Sequence, residues 1–221
     1  MPGIELIIFD CDGVLVDSEV VGNRVYADYL TLLGFPHTPE ECCAQYLGMS
    51  DATVMKQFAE RGTPLPDTFK DDVHRLEQAA LSVELEPVPG VSAVLAALDV
   101  PYCLASSGTW GKINSSLTKT GLDKHFGDNK FCFEQVENGK PAPDLFLFAA
   151  RAMGFDPDCT LVIEDSRAGV QAGVSAGMTV AGFTGGAHIP PGHDIALRDL
   201  GAHHILDRMR GLPELLASTL R

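Results

Sequence analysis

Four short segments of this 221-residue sequence carry residue types that do chemistry. The first is Asp10-Cys11-Asp12-Gly13-Val14. Carboxylates packed this closely repel and call for a cation or a proton, and the glycine behind them lets the backbone turn sharply. The second is Ser106-Ser107-Gly108, which offers hydroxyls and backbone N–H groups of the kind that meet an anion at a helix start. The third, Gly139-Lys140-Pro141-Ala142-Pro143-Asp144, sets one lysine on a loop stiffened by two prolines. The fourth, Glu164-Asp165-Ser166-Arg167-Ala168-Gly169, supplies two more carboxylates. Together these are ligands for a hard cation, a possible nucleophile, a proton carrier and a fixed positive charge.

The elements that must position them follow from the apolar pattern. Leu6–Phe9 is a short continuous apolar run ending at Asp10, as a buried parallel strand requires. Tyr102–Ala105 ends at Ser106, and Leu161–Ile163 ends at Glu164-Asp165. Met178–Phe183, His203–Leu206 and Lys130–Phe133 are further strand candidates. Helical stretches lie between them at Val91–Leu98, Trp110–Thr120, Asp144–Met153 and Ala168–Ala176. Such alternation predicts an α/β, Rossmann-like parallel sheet with helices on both faces. Ligands of such sheets bind at the carboxyl ends of the strands, and three of the four segments stand there.

The stretch 17–86 breaks the alternation and contains no convincing strand. Val21, Val25, Tyr29 and Leu32 share one helical face, with Gly34 placed to end the helix. Thr38-Pro39-Glu40-Glu41 reads as a capping box with proline at the first helical position. Further helices are expected over Ala52–Arg61 and Asp67–Val83, and Glu86-Pro87-Val88-Pro89-Gly90 reads as a stiff return linker. The expected organisation is therefore a catalytic core of residues 1–16 and 87–221, with a helical cap of residues 17–86 inserted where a lid would stand.

Composition removes several classes. Thirty acidic and 16 basic residues give a net charge of −14, which argues against nucleic-acid or anionic-lipid partners. No apolar run approaches the roughly 18 residues of a membrane span. The N-terminus has no basic region ahead of its apolar run, so a secretory signal is not expected and a cytoplasmic location is. The six cysteines show no CxxC, and reduced thiols are expected. Cys11 lies between two aspartates, whose field would raise its pKa and spoil it as a nucleophile. None of the seven histidines has zinc-site spacing, and surface or loop positions are expected for them.

The four segments, in this order, resemble the motifs of the haloacid dehalogenase superfamily of aspartate-based phosphohydrolases: Asp10-x-Asp12-Gly-Val, then Ser106, then Lys140, then Glu164-Asp165. DCDGVLVDSE, GKPAPD and EDSRAG resemble the subgroup containing β-phosphoglucomutases and sugar-phosphate phosphatases, and residues 17–86 resemble its small helical cap. The resemblance implies that Asp10 attacks the phosphorus of a small phosphorylated metabolite and that Asp12 exchanges the proton with the leaving alcohol and then with water. It implies Mg²⁺ on Asp10, the Asp12 carbonyl, Asp165 and Glu164, with Ser106, the Ser107 N–H and Lys140 holding the transferring oxygens. The physical logic stands independently: a carboxylate approaches a phosphate only when positive charge offsets both.

Departures narrow the activity. Relatives that cleave carbon–halogen or phosphonate bonds lack the second aspartate, so Asp12 argues for a phosphatase. Mutase relatives carry a cap arginine after a Gly-x-Ser turn, whereas Gly48-Met49-Ser50 is followed here by Asp51. Their first-cap-helix histidine is replaced near Gly22. The turn Tyr46–Thr53 is expected to govern substrate choice, and Arg24 and Lys56 are further cap residues that could face substrate. A β-phosphoglucomutase-like phosphomutase and a non-catalytic binding protein on the same fold are the alternatives. A receiver domain would need half this length. Oligomeric state is not readable, and a monomer is compatible with the sequence.

Overall fold

The computed structural model describes residues 3–46 and 49–219. Its chain divides into two compact units: one takes the chain up to Asp17 and from Glu86 onward, and the other is Ser18–Leu85.

The first unit is built on six strands: β1 (Leu6–Phe9), β2 (Tyr102–Ser106), β3 (Lys130–Cys132), β4 (Thr160–Glu164), β5 (Thr179–Phe183) and β6 (His204–Leu206). They lie in the order β3-β2-β1-β4-β5-β6, and every pairing is parallel. The fold is the expected Rossmann-like α/β sheet. Leu6, Ile7, Ile8 and Phe9 are all fully buried, as are Leu161, Val162 and Ile163. That is why these strands read as continuous apolar runs rather than alternating ones. The core under the sheet joins Leu6, Ile8, Cys103, Val162 and Val180 to Phe146 and Val170 from the covering helices. Strand order reverses between β1 and β4, and in sheets of this kind that crevice binds ligands.

The helices of this unit are Val91–Ala97, Trp110–Thr120, Asp123–Phe126, Asp144–Met153, Arg167–Ser175, His193–Asp199 and Leu212–Thr219. Three of them were not anticipated: Asp123–Phe126, His193–Asp199 and Leu212–Thr219. The first two span four and seven residues, too short to show a helical period. Strand boundaries also move. Ser106 and Glu164 belong to their strands rather than following them. β3 stops at Cys132, because Phe133 opens a 3₁₀ turn and is exposed.

The second unit contains Ser18–Leu32, Pro39–Tyr46, Asp51–Glu60 and Phe69–Glu84, all helical. Its core gathers Leu30, Tyr46, Phe58, Phe69 and Val73. The capping box is present: the Glu41 N–H donates to Thr38 Oγ1 at 3.2 Å, and the Thr38 N–H donates to Glu41 Oε2 at 2.8 Å. Leu32 corrects the expected face. It is exposed, while Val21, Val25, Ala27 and Leu30 are buried. Periodicity marks the apolar stripe but not the turn at which packing partners stop. Among the described residues, no helix is long and apolar enough to cross a membrane.

Candidate active site

Numbering the helices in chain order, α1–α4 are the four of the second unit and α5–α11 the seven of the first. The site forms where β1, β2 and β4 end. Register places Phe9 opposite Ile163, and the Asp10 N–H donates to the Ile163 carbonyl at 3.0 Å. Asp10 therefore emerges beside Glu164 and Asp165. One carboxylate oxygen from each of Asp10, Glu164 and Asp165 lies within 4.8 Å of the others, and all three residues are buried.

Lys140 reaches into this cluster. Its Nζ donates to Asp10 Oδ1 at 2.6 Å, to Glu164 Oε1 at 2.8 Å and to the Ala105 carbonyl at 3.1 Å. Its side chain is 3% exposed, and the ammonium stands 4.6 Å from the Phe146 ring centroid. α8 (Asp144–Met153) supplies that ring from its first turn. Burial by itself would lower the Lys140 pKa, but the charges of Asp10 and Glu164 outweigh it and hold the value above normal. Burial pushes the Asp10 carboxyl well above its ordinary range; Lys140 opposes this, and Glu164 and Asp165 add to it.

Three buried carboxylates face one ammonium, so the cluster holds more negative charge than its own lysine balances. Hard oxygen donors with surplus negative charge are the donor set a Mg²⁺ ion takes. The residues present fit that group.

Glu164 is held on both oxygens. Oε1 accepts from Lys140, and Oε2 accepts the Ser166 N–H at 2.6 Å. Gly169, in the first turn of α9 (Arg167–Ser175), is required beside it, because a Cβ there would overlap the Glu164 carboxylate. Ser166 caps α9 by accepting the Gly169 N–H at 3.0 Å.

Asp12 separates from the other acids. Its carboxylate is not one of the three in the cluster and pairs with Lys112 Nζ at 3.1 Å. Lys112 lies on α6 (Trp110–Thr120), whose N-terminus is capped by Thr109 accepting the Lys112 N–H. Sequence reasoning missed Lys112, which is one polar residue on a long helix whose partner lies a hundred positions away. Gly13 has φ of 76°, a left-handed conformation suited to glycine, and any side chain there would run into Asp165.

Ser106 is buried, and its Oγ accepts the Gly108 N–H at 3.0 Å, which leaves its own hydroxyl proton to donate. It does not cap α6. Ser107 is exposed at the end of β2. Burial, and then Asp12 and Asp10, push the Cys11 thiol well above its normal pKa, as its flanking carboxylates predict. Among the described residues no cysteine is in a disulfide.

Surface or loop positions are expected for the histidines, and two of them contact the site. His188 is buried with Nε2 2.9 Å from Asp165 Oδ2, and His193 Nε2 lies 2.6 Å from the Asp165 carbonyl oxygen. His188 sits in a Gly- and Pro-rich loop, which gave no sign of a buried contact, and His193 opens the helix α10 (His193–Asp199) that follows it.

Within the second unit, Arg24 pairs with Asp28 at 3.1 Å and Glu84 at 2.6 Å, and Lys56 is exposed beside Glu60. Asp51 Oδ1 accepts from the Tyr26 hydroxyl at 3.2 Å, and Ser50 caps α3 (Asp51–Glu60). Leu47 and Gly48 of the turn Tyr46–Thr53 lie outside the described residues.

A parallel α/β sheet that brings a buried acid–lysine cluster to its reversal point places the candidate site where proteins of this class bind ligands. The chain belongs to the haloacid dehalogenase-like hydrolase family, whose model matches residues 7–183. It is 35% identical over 193 residues to the 6-phosphogluconate phosphatase of Escherichia coli (strain K12), covering 86% of this chain and 87% of that protein. A conserved haloacid dehalogenase-like protein of unknown function from Agrobacterium tumefaciens superposes with a TM-score of 0.93 at 36% identity, covering 99% of this chain and 100% of that one. A HAD family hydrolase from Deinococcus radiodurans R1, with bound phosphate and sodium, superposes with a TM-score of 0.89 at 31% identity, covering 98% and 96%.

Proposed function

We propose that this chain is a Mg²⁺-dependent phosphatase that hydrolyses a small phosphate monoester, a sugar or sugar-acid phosphate, through an aspartyl phosphate on Asp10. The observation that carries the proposal is the convergence of Lys140 on Asp10 and Glu164 with Asp165 alongside, all withdrawn from solvent. The phosphatase named among the relatives supports the sugar-acid class.

In the first step an Asp10 carboxylate oxygen attacks phosphorus, and the bond from phosphorus to the alcohol oxygen breaks. That oxygen takes its proton from Asp12. In the second step a water passes a proton to Asp12 and attacks phosphorus, returning the Asp10 carboxylate and inorganic phosphate. Lys140 and the Ser106 hydroxyl hold phosphoryl oxygens, with the Ser107 N–H. Mg²⁺ held by Asp10, Asp165, Glu164 and the Asp12 carbonyl would offset the charge that builds on those oxygens. The Ser18–Leu85 unit is assigned the choice of substrate as the helical cap.

Phosphate release from a panel of phosphorylated sugars, sugar acids and polyols tests this, with and without a chelator. Release should require Mg²⁺ and be lost in Asp10→Asn. Wild-type turnover in Asp10→Asn refutes the mechanism, and conversion without phosphate release points to a mutase instead.

A further inference from the structure

The loop that follows β5 and the helix it leads into, α10 (His193–Asp199), reach back to the end of β4 and grip one residue, Asp165, twice. His188 Nε2 contacts the Asp165 side chain at 2.9 Å, and His193 Nε2 contacts the Asp165 backbone carbonyl at 2.6 Å. Carboxylate and carbonyl oxygens only accept, so both ring nitrogens face Asp165 as N–H donors. The His188 side chain is 2% exposed. Its ring has no free room: a Cβ on Gly13 would lie 2.8 Å from His188 Cε1, and one on Gly186 would lie 2.7 Å from the same atom. The backbone at Gly13 and at Gly186 therefore approaches the imidazole to glycine distance at the same edge, around Cε1. Such a ring fixes Oδ2, and with Oδ2 fixed the other Asp165 oxygen is confined to a narrow range of directions.

We infer that His188, supported by His193, is a positioning residue for Asp165 that sets how tightly the acidic cluster binds its divalent cation. The inference rests on the cation reading of that cluster made above and deepens it. Neither histidine is assigned contact with substrate. Groups that orient metal ligands typically govern about 10- to 100-fold in metal affinity, because a ligand left to rotate must be ordered when the ion binds.

The test is Mn²⁺ binding to the metal-free full chain, followed by electron paramagnetic resonance at fixed pH, for wild type, His188→Ala, His188→Asn and His188→Gln. A glutamine amide places its nitrogen near the position of Nε2, whereas asparagine is too short to reach Oδ2. The expected result is a dissociation constant about 10-fold or more weaker for alanine and asparagine, with glutamine within about threefold of wild type. A mere packing role would not separate glutamine from asparagine in metal affinity. Equal affinity in the asparagine and glutamine variants overturns the inference, and that pair decides the matter if His188→Ala does not fold. A wild-type chain that binds no Mn²⁺ overturns the cation reading itself. Wild-type binding that is indifferent to His188 leaves that reading standing and overturns only this inference.

Discussion

Replacing Lys140 by methionine isolates the central electrostatic feature of the site. The change keeps most of the apolar stem but deletes the ammonium, which meets Asp10 at 2.6 Å and Glu164 at 2.8 Å and stands 4.6 Å from the Phe146 ring centroid. With that side chain 3% exposed, water cannot take over its role. Removing one partner of a buried pair costs about 3–5 kcal/mol, because the remaining charge is left without compensation. For a chain of this size each kcal/mol moves the melting temperature by about 2–4 °C, so the metal-free variant should melt roughly 6–20 °C below wild type. Circular dichroism melts at pH 7 in the presence of a chelator measure this. Adding Glu164→Gln to Lys140→Met should recover part of the loss, since it removes one of the stranded charges. Lys140→Met melting within about 3 °C of wild type would refute the reasoning. It would mean that the ammonium does not offset the carboxylates.

Metal-free wild type should also respond to pH through Asp10, whose folded pKa lies above its ordinary 3.8. A group raised on folding contributes stability that is fully present below the unfolded value and lost as pH rises through the folded one, so acidification from neutral should favour this part of the fold. Urea midpoints between pH 7 and 4.5 should show the gain in wild type and not in Asp10→Asn. Gly169→Ala should destabilise by about 1–3 kcal/mol, because its methyl overlaps the Glu164 carboxylate; an unchanged denaturation midpoint counts against that packing. Lys112→Ala removes a half-exposed ion pair with Asp12 and should lower kcat/KM by only about two- to fivefold, the yield of a surface pair of under about 1 kcal/mol. A hundredfold loss would place Lys112 in the reaction itself. Asp51→Ala should change the ratio of rates between two sugar phosphates, and equal losses for both would remove that residue from substrate choice.

The strand-end acids were legible because a buried parallel strand announces itself as an unbroken apolar run, and a carboxylate at its end stands out against it. Asp10, Glu164 and Asp165 were found that way, and Lys140 by the two prolines that hold its loop. Residues whose meaning depends on a distant partner were not legible. Lys112 has nothing local to mark it, and its partner Asp12 lies just past the end of β1, a hundred positions earlier in the chain. His188 sits between Gly186 and Pro190 in a stretch that reads as a surface loop, yet the chain there folds back against Gly13 and buries the ring. Short helices such as Asp123–Phe126 escaped for a simpler reason: one turn has no period to detect.

The place where the chain leaves and rejoins the sheet unit has a consequence for how such proteins diversify. Val16 and Pro87 form an antiparallel bridge, the Asp17 N–H donates to the Glu86 carbonyl at 3.0 Å, and the Val88 N–H donates to the Leu15 carbonyl at 3.0 Å. The two ends of the Ser18–Leu85 excursion are thus stitched together by the sheet unit's own backbone. Closing a longer excursion over the same stitch costs only about 0.6 kcal/mol per doubling of its length. The excursion can grow, shrink or be exchanged with little penalty to the strands that carry Asp10 and Asp165.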